Sequence, residues 1–68
     1  MTGRRALDQE VLTGLGDRLR DLRLAKGWSL GELSAASGVP PSTISKIENL
    51  LMSPSLVHAI NLAGALGE

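Results

Sequence analysis

Apolar residues recur with helical spacing in two short segments that a glycine separates. The segments lie in residues 30–48, LGELSAASGVPPSTISKIE. Leu33 marks the apolar side of the first segment, and Ile44 and Ile47 line one side of the second. Gly38 stands between them, where it can take the left-handed conformation of a sharp turn. The pattern predicts a helix-turn-helix, whose second helix can enter a DNA major groove.

Capping signals indicate where the two motif helices begin and end. Ser29 and Glu32 have the S-x-x-E spacing of a capping box, so the first motif helix is predicted to start there and run to about Ser37. Pro41 suits the first position of the second helix, because a missing N–H costs nothing there. This second helix is predicted to span residues 41–49.

A further helix is predicted before the motif. Gly14 and Gly16 disfavour a helix, so the first robust helix is expected to start near Leu15 and to end at Gly27. Residues 1–10 are polar and carry a basic pair, which is typical of a flexible arm or a loosely held extra turn.

A last helix is predicted after the motif. Ser53 can serve as its N-cap, Pro54 as its first residue and Gly67 as its end. No segment requires a strand. The sequence therefore predicts an all-α fold, a compact bundle of four to five helices that occupies residues 11–68.

Composition and charge limit the classes of function. The chain has 68 residues, no cysteine and a net charge of zero. Such a small core usually needs extra support, and neither a disulfide nor a thiolate metal site can supply it. Residues 49–67 carry no formal charge, but their polar interruptions argue against a membrane span. With no signal peptide either, a cytoplasmic protein is expected.

Catalytic and metal chemistry find little support. His58 is the only histidine, and it has no cysteine or carboxylate neighbour at metal-ligand spacing. A catalytic triad would need an oxyanion site and a cleft that so short a chain hardly provides. We therefore expect no metal, no cofactor and no enzymatic activity.

The polar side of helix 41–49 is the candidate binding surface. Opposite the two isoleucines, this side carries Pro41, Ser42, Ser45, Lys46 and Asn49. Short hydroxyl and amide side chains can bond base edges or phosphates, and a lysine can reach guanine or a phosphate. The alternative is an ordinary solvated face, and the surrounding helix-turn-helix spacing favours the binding interpretation.

Two opposite charges fall beside apolar positions on different helices. Glu48 lies one turn from Ile44, and Arg23 lies one turn from Leu19. A charge at the edge of a core needs a partner. We therefore predict that Arg23 and Glu48 pair and brace the first helix against helix 41–49; the alternative is two separate surface charges.

The segment after helix 41–49 is unusually apolar. Leu50, Leu51 and Met52 form an apolar connection, and the last helix is apolar around much of its circumference. Such a surface predicts a contact, either with a second copy of the chain or with a segment outside this sequence.

The sequence RLRDLRLAKGWSLGELSAASGVPPSTISKIEN, followed by SPSLVHAINLAGALG, resembles the XRE/Cro-type helix-turn-helix family, whose members have the phage-repressor fold. The resemblance is greatest to the subgroup with a C-terminal cupin sensor domain. It implies a homodimer that binds palindromic double-stranded DNA, and the Arg23–Glu48 pair is common in the family. The DNA-reading residues that it implies are Pro41, Ser42, Thr43, Lys46 and Asn49, and it places Arg18 and Ser29 near phosphates.

Three departures from the family bear on function. Leu30 stands where many members have a glutamine that contacts DNA, and Leu51 and Met52 stand where relatives often have basic residues. Leu50 replaces the glycine that normally follows the third helix, so that turn must differ or be strained. We expect a sequence-specific DNA-binding transcriptional regulator. The alternative is a protein-interaction module or an antitoxin that uses the apolar surface of residues 50–66.

Overall fold

A computed structural model describes the backbone of residues 2–67 and the side chains of residues 14–67. Its four helices are α1 (Thr2–Ala25), α2 (Leu30–Ser37), α3 (Pro41–Glu48) and α4 (Leu56–Leu66). All regular structure in the described backbone is helical, which confirms the predicted all-α fold. The motif consists of α2, the turn and α3; α3 packs on α1 and α2, and α2 packs on α4.

The first helix begins much earlier than predicted. α1 starts at Thr2 rather than near Leu15, and both Gly14 and Gly16 lie inside it. The prediction was wrong because a glycine weakens a helix by only about 1 kcal/mol and does not block it, as an internal proline would. The division into an arm of residues 1–10 and a domain of residues 11–68 stays a prediction.

Serine side chains cap the starts of α2 and α4. The Ser29 hydroxyl accepts from the Glu32 amide at 3.1 Å, and the Glu32 carboxylate accepts from the Ser29 amide at 3.0 Å, which confirms the capping box. This bond from the Ser29 N–H lowers the pKa of Glu32 below its ordinary value. The predicted start of α4 was wrong: Ser55, rather than Ser53, is the N-cap, and its hydroxyl accepts from the His58 amide at 3.1 Å.

The core lies where the four helices meet. Its buried side chains come from all four helices and from the turn of the motif: Leu19, Leu33, Val39, Ile44, Ile47, Leu62 and Leu66. Trp28 packs against this core, and the Lys26 ammonium lies 5.2 Å from the centre of its ring. The apolar residues that defined the motif in the sequence thus form the centre of the core.

A residue in the left-handed conformation follows every helix. Gly27, Gly38 and Gly67 take this conformation after α1, α2 and α4, with φ of 70°, 77° and 77°. After α3 the residue is Leu50, with φ of 63°. Its amide donates to the Ile47 carbonyl at 3.2 Å, and the next amide closes the turn. The turn keeps the usual geometry, and leucine bears a strain of about 1–3 kcal/mol there.

Candidate nucleic-acid interface

Helix α3 has one buried and one exposed side. Ile44 and Ile47 are fully buried, and Glu48 beside them is only 4% exposed. On the other side Pro41 and Lys46 are exposed. The buried side of this eight-residue helix packs on the core, and its other side is accessible to a binding partner.

The predicted binding residues of α3 are together, but they differ in how open they are. Four of them are exposed and two are half-buried; in order these are Pro41, Ser42, Lys46 and Asn49, then Thr43 and Ser45. We call these six residues the outer face of α3. Their side chains are short except for one lysine, so nothing bulky on this face blocks an approach to a groove.

Two residues of the outer face are bonded to each other. The Asn49 side-chain amide donates to the Ser45 carbonyl at 2.8 Å, and its distance to the Ser45 hydroxyl is 3.4 Å. Donor groups of Asn49 therefore serve the C-terminal turn of α3. Ser42, Thr43 and Lys46 take no part in these bonds, and their contact with bases stays a prediction.

Arg23 and Glu48 form a two-point ion pair between α1 and α3. The Arg23 Nε donates to Glu48 Oε2 at 2.8 Å, and Nη2 donates to Oε1 at 2.9 Å. Nη1 donates to the Trp28 carbonyl at 2.9 Å, so the guanidinium also holds the turn before α2. The hydrogen bond to Glu48 raises the pKa of Arg23 above its ordinary value. The pair fixes the C-terminal end of α3 against α1, as the two helix faces predicted.

A second arginine, which the sequence interpretation missed, lies at the same end of α3. The Arg20 Nη2 donates to the Glu48 carbonyl and to Asn49 Oδ1, both at 3.3 Å, and Arg20 Nε lies 3.5 Å from Glu48 Oε1. Arg20 precedes Arg23 by one turn of α1. That spacing was the available signal, but no feature of the sequence distinguished Arg20 from an ordinary surface arginine.

Gly16 allows α1 to approach the end of α3 closely. A Cβ on this residue would lie 2.9 Å from the Ile47 carbonyl oxygen, 3.1 Å from that of Glu48 and 2.8 Å from Cδ2 of Leu50. Real Cβ atoms essentially never come within 3.0 Å of such atoms. The sequence suggested only that this glycine disfavoured a helix, whereas its role is to make room.

The two predicted phosphate contacts outside α3 lie in different surroundings. Ser29 is exposed, and its hydroxyl is used as the cap of α2. Arg18 is also exposed and borders an apolar groove of about 190 Å³ between α1 and α4. This apolar groove is lined by Leu15, Arg18, Leu19, Leu22, Ile47, Pro54, Ala59, Leu62, Ala63 and Leu66. Contact of Arg18 or Ser29 with phosphate stays a prediction.

The apolar segment after α3 is only partly open. Leu51 is 75% exposed and Leu50, beside Gly16, is 43% exposed, whereas Met52 is half-buried against the core. Three further apolar side chains are exposed on α4: Leu56, Val57 and Ile60. Exposed apolar side chains therefore lie on α4 and also on α1, at Leu15 and Leu24.

A family model described as helix-turn-helix matches residues 19–68, most of the chain. The chain belongs to this helix-turn-helix family, of the XRE type. The family is one of DNA-binding domains and not of enzymes. Neither the curated proteins nor the solved structures gave a match.

The described residues of this helix-turn-helix domain also bear on two other kinds of site, a membrane span and a metal centre. Among these residues, no helix combines the length and apolar character needed to cross a membrane. The same part of the chain holds no group of three or more histidine and acidic side chains that could bind a metal ion.

Proposed function

We propose that this chain is a sequence-specific DNA-binding transcriptional regulator of the cytoplasm that inserts α3 in the major groove. The observation that carries the proposal is that α3 has one buried side and one exposed polar side. Its buried side is fixed through Glu48, and its outer face presents small polar side chains around Lys46. A rigid helix with such a face fits a major groove about 12 Å wide. The resemblance to the subgroup with a cupin sensor domain remains an expectation.

The start of α3 adds support for this orientation. No side chain caps this helix, unlike α2 and α4, in each of which a serine hydroxyl accepts from one N-terminal amide. The amides at a helix N-terminus and the helix dipole both favour negative charge. In helix-turn-helix complexes the N-terminal residues of the second helix contact the bases. An uncapped start suits a helix that approaches DNA with this end.

The proposal can be tested by selection of bound duplexes from a random pool at low salt, followed by affinity measurement over a series of salt concentrations. Lys46→Ala should weaken binding to the selected duplex. If Lys46 contacts a phosphate, the slope of log affinity against log salt should fall by about 0.9. If Lys46 reads guanine, discrimination between bases should fall about tenfold. A low salt concentration is chosen because the chain has no net charge.

Lys26→Ala is the matched control, because Lys26 is also exposed but lies at the end of α1. It removes the same charge without touching α3. Equal losses in the two variants would indicate attraction by overall charge only and would contradict insertion of α3. Failure of the wild-type protein to retain any duplex would overturn the proposal altogether.

We also propose that the regulator is a homodimer that uses α4. The support is the exposure of Leu56, Val57 and Ile60 on a helix without a charged residue, so two copies can meet without charge repulsion. Ile60→Glu should reduce the mass measured by sedimentation equilibrium, whereas Leu24→Glu, an exposed position on α1, should not. A monomeric wild-type protein would contradict this and favour the alternative of a protein-interaction module or antitoxin.

A further inference from the structure

A single stripe of α1 contacts the C-terminal end of α3. Gly16, Arg20 and Arg23 recur at intervals of four and three residues, so they share one side of the helix. Gly16 brings the two backbones together, and Arg23 holds the Glu48 carboxylate. Arg20 has a different position, because it reaches beyond Glu48 to a residue of the outer face.

The contacts of Arg20 link α1 to the outer face of α3. Its guanidinium donates to the Glu48 carbonyl, one of the last carbonyl groups of α3 that lack a donor within the helix. It also donates to Asn49 Oδ1, and the amide of Asn49 then donates to Ser45. A continuous chain of hydrogen bonds therefore runs from Arg20 through Asn49 to Ser45.

Charge attraction alone does not explain this arrangement. The side chain of Arg20 is 41% exposed, so its attraction to Glu48 is screened by water and contributes little. Glu48 already has two short bonds from Arg23. Two nitrogens of one planar group are used here: Nη2 donates to the Glu48 carbonyl and to Asn49, while Nε lies 3.5 Å from Glu48 Oε1, whereas a lysine has a single nitrogen on a flexible stem.

We propose that Arg20 is a positioning residue for sequence recognition: it fixes the Asn49 amide, and through it the Ser45 side of α3. This inference rests on the proposed DNA binding. It predicts that Arg20 affects discrimination between DNA sequences without itself contacting a phosphate. Asn49 accordingly acts as a link from α1 rather than as an independent base contact.

The first measurement needs no DNA. In NMR spectra of the full chain, Arg20→Lys should shift the side-chain amide signals of Asn49 and speed their exchange with water. Lys26→Ala, which removes a charge just after the end of α1, should leave these signals unchanged. Thermal unfolding of each variant shows that it is folded. Unchanged Asn49 signals in folded Arg20→Lys and Arg20→Gln proteins would overturn the proposal.

The second measurement uses the duplex selected by the wild-type protein. Arg20→Lys should lower the ratio of specific to non-specific affinity by about three- to tenfold, and the salt slope should stay unchanged. Asn49→Ala should cause a similar loss, and the double variant should lose no more than either single one. A salt slope that falls by about 0.9 in Arg20→Gln with an unchanged ratio would identify a phosphate contact and overturn the proposal.

The two measurements distinguish this inference from the proposed function. If the wild-type protein retains no duplex, DNA binding fails, and the Asn49 signals alone decide whether Arg20 holds that side chain. If a duplex is retained and the variants of Arg20 and Asn49 lose discrimination additively, the two residues act separately and the positioning role is wrong.

Discussion

The two ends of α3 are held in opposite ways. At the C-terminal end, Glu48 is buried under two arginines, and Gly16 allows the backbones to meet. At the N-terminal end, Pro40 stands at the N-cap position, Pro41 is the first residue of the helix, and no side chain caps it. The C-terminal end is fixed by specific contacts with α1. The N-terminal end is stiffened by its two prolines, and no side chain accepts from its backbone amides.

This difference separates the stability of the helix from its proposed contact with DNA. A helix that reads DNA must be rigid and must also keep polar groups free. Contacts at the far end can supply the rigidity without using groups at the near end. Substitutions at the C-terminal end should therefore change the stability of the protein more than its DNA binding, and substitutions at the N-terminal end should do the reverse.

The largest expected effect comes from removing Arg23. Arg23→Met leaves Glu48 buried with only the longer contact to Arg20, and breaking a buried pair in this way costs about 3–5 kcal/mol. A domain of this size rarely has more than about 3–5 kcal/mol of stability. We therefore expect the variant to be largely unfolded at 25 °C by circular dichroism.

Replacing both partners of the pair provides the control. Arg23→Met combined with Glu48→Met removes the uncompensated charge and should recover most of the lost stability. The charge-swapped protein, Arg23→Glu with Glu48→Arg, should also be more stable than either single variant. A folded Arg23→Met protein with nearly unchanged stability would mean that the pair does not hold α3.

The next largest loss of stability should come from a substitution where α1 closely approaches α3. Gly16→Ala places a Cβ within 3.0 Å of a carbonyl oxygen that cannot turn aside as a side chain could. Overpacking of this kind costs about 1–3 kcal/mol, and the better helix propensity of alanine returns up to about 1 kcal/mol. A net loss of about 1–2 kcal/mol should appear in urea unfolding.

Gly14 offers a matched control within the same helix. A Cβ at this position would meet nothing within 4 Å, so Gly14→Ala should stabilise the protein by up to about 1 kcal/mol. The two substitutions are chemically identical and differ only in their surroundings. If both raised the stability, the approach of α1 to α3 would be looser than the distances indicate.

The sequence predicted those features of α1 and α3 that follow from the spacing of residues along a helix. The positions of Ile44 and Ile47 follow from helical spacing, and the pairing of Arg23 with Glu48 follows from two helix faces that each need a partner. The side of the helix on which each of these residues lies can be counted from the sequence, and the two charges at the edge of the core then need each other as partners. The structure has them as the spacing predicted.

Features that depend on how two helices cross were not predictable in this way. Gly16 looks the same in sequence as Gly14, although only Gly16 lies against another backbone. Arg20 looks like a surface arginine until the end of α3 is placed beside it. Propensity also misplaced the start of α1, because each glycine is a small local cost that the rest of a long helix can offset.

The smallest change in stability, and the sharpest test of the comparison, comes from adding a cap to α3. Pro40 has φ of −57° and ψ of 143°, an extended conformation that a capping residue can adopt. Pro40→Ser and Pro40→Asp each supply an oxygen for the open amides but lose the stiffness of proline. Because these effects are of similar size and opposite sign, both variants should unfold within about 1 kcal/mol of the wild type.

The two variants should nevertheless differ in DNA binding. Serine caps the helix without charge, whereas aspartate also places a negative charge where a phosphate is expected to approach. We expect Pro40→Asp to bind the selected duplex about two- to fivefold more weakly than Pro40→Ser at low salt, with the difference shrinking as salt is added. Equal affinities would mean that the start of α3 does not face the DNA backbone. The inference that the C-terminal end of α3 serves stability and its N-terminal end serves DNA binding would then be wrong, even if Lys46 proved essential for binding.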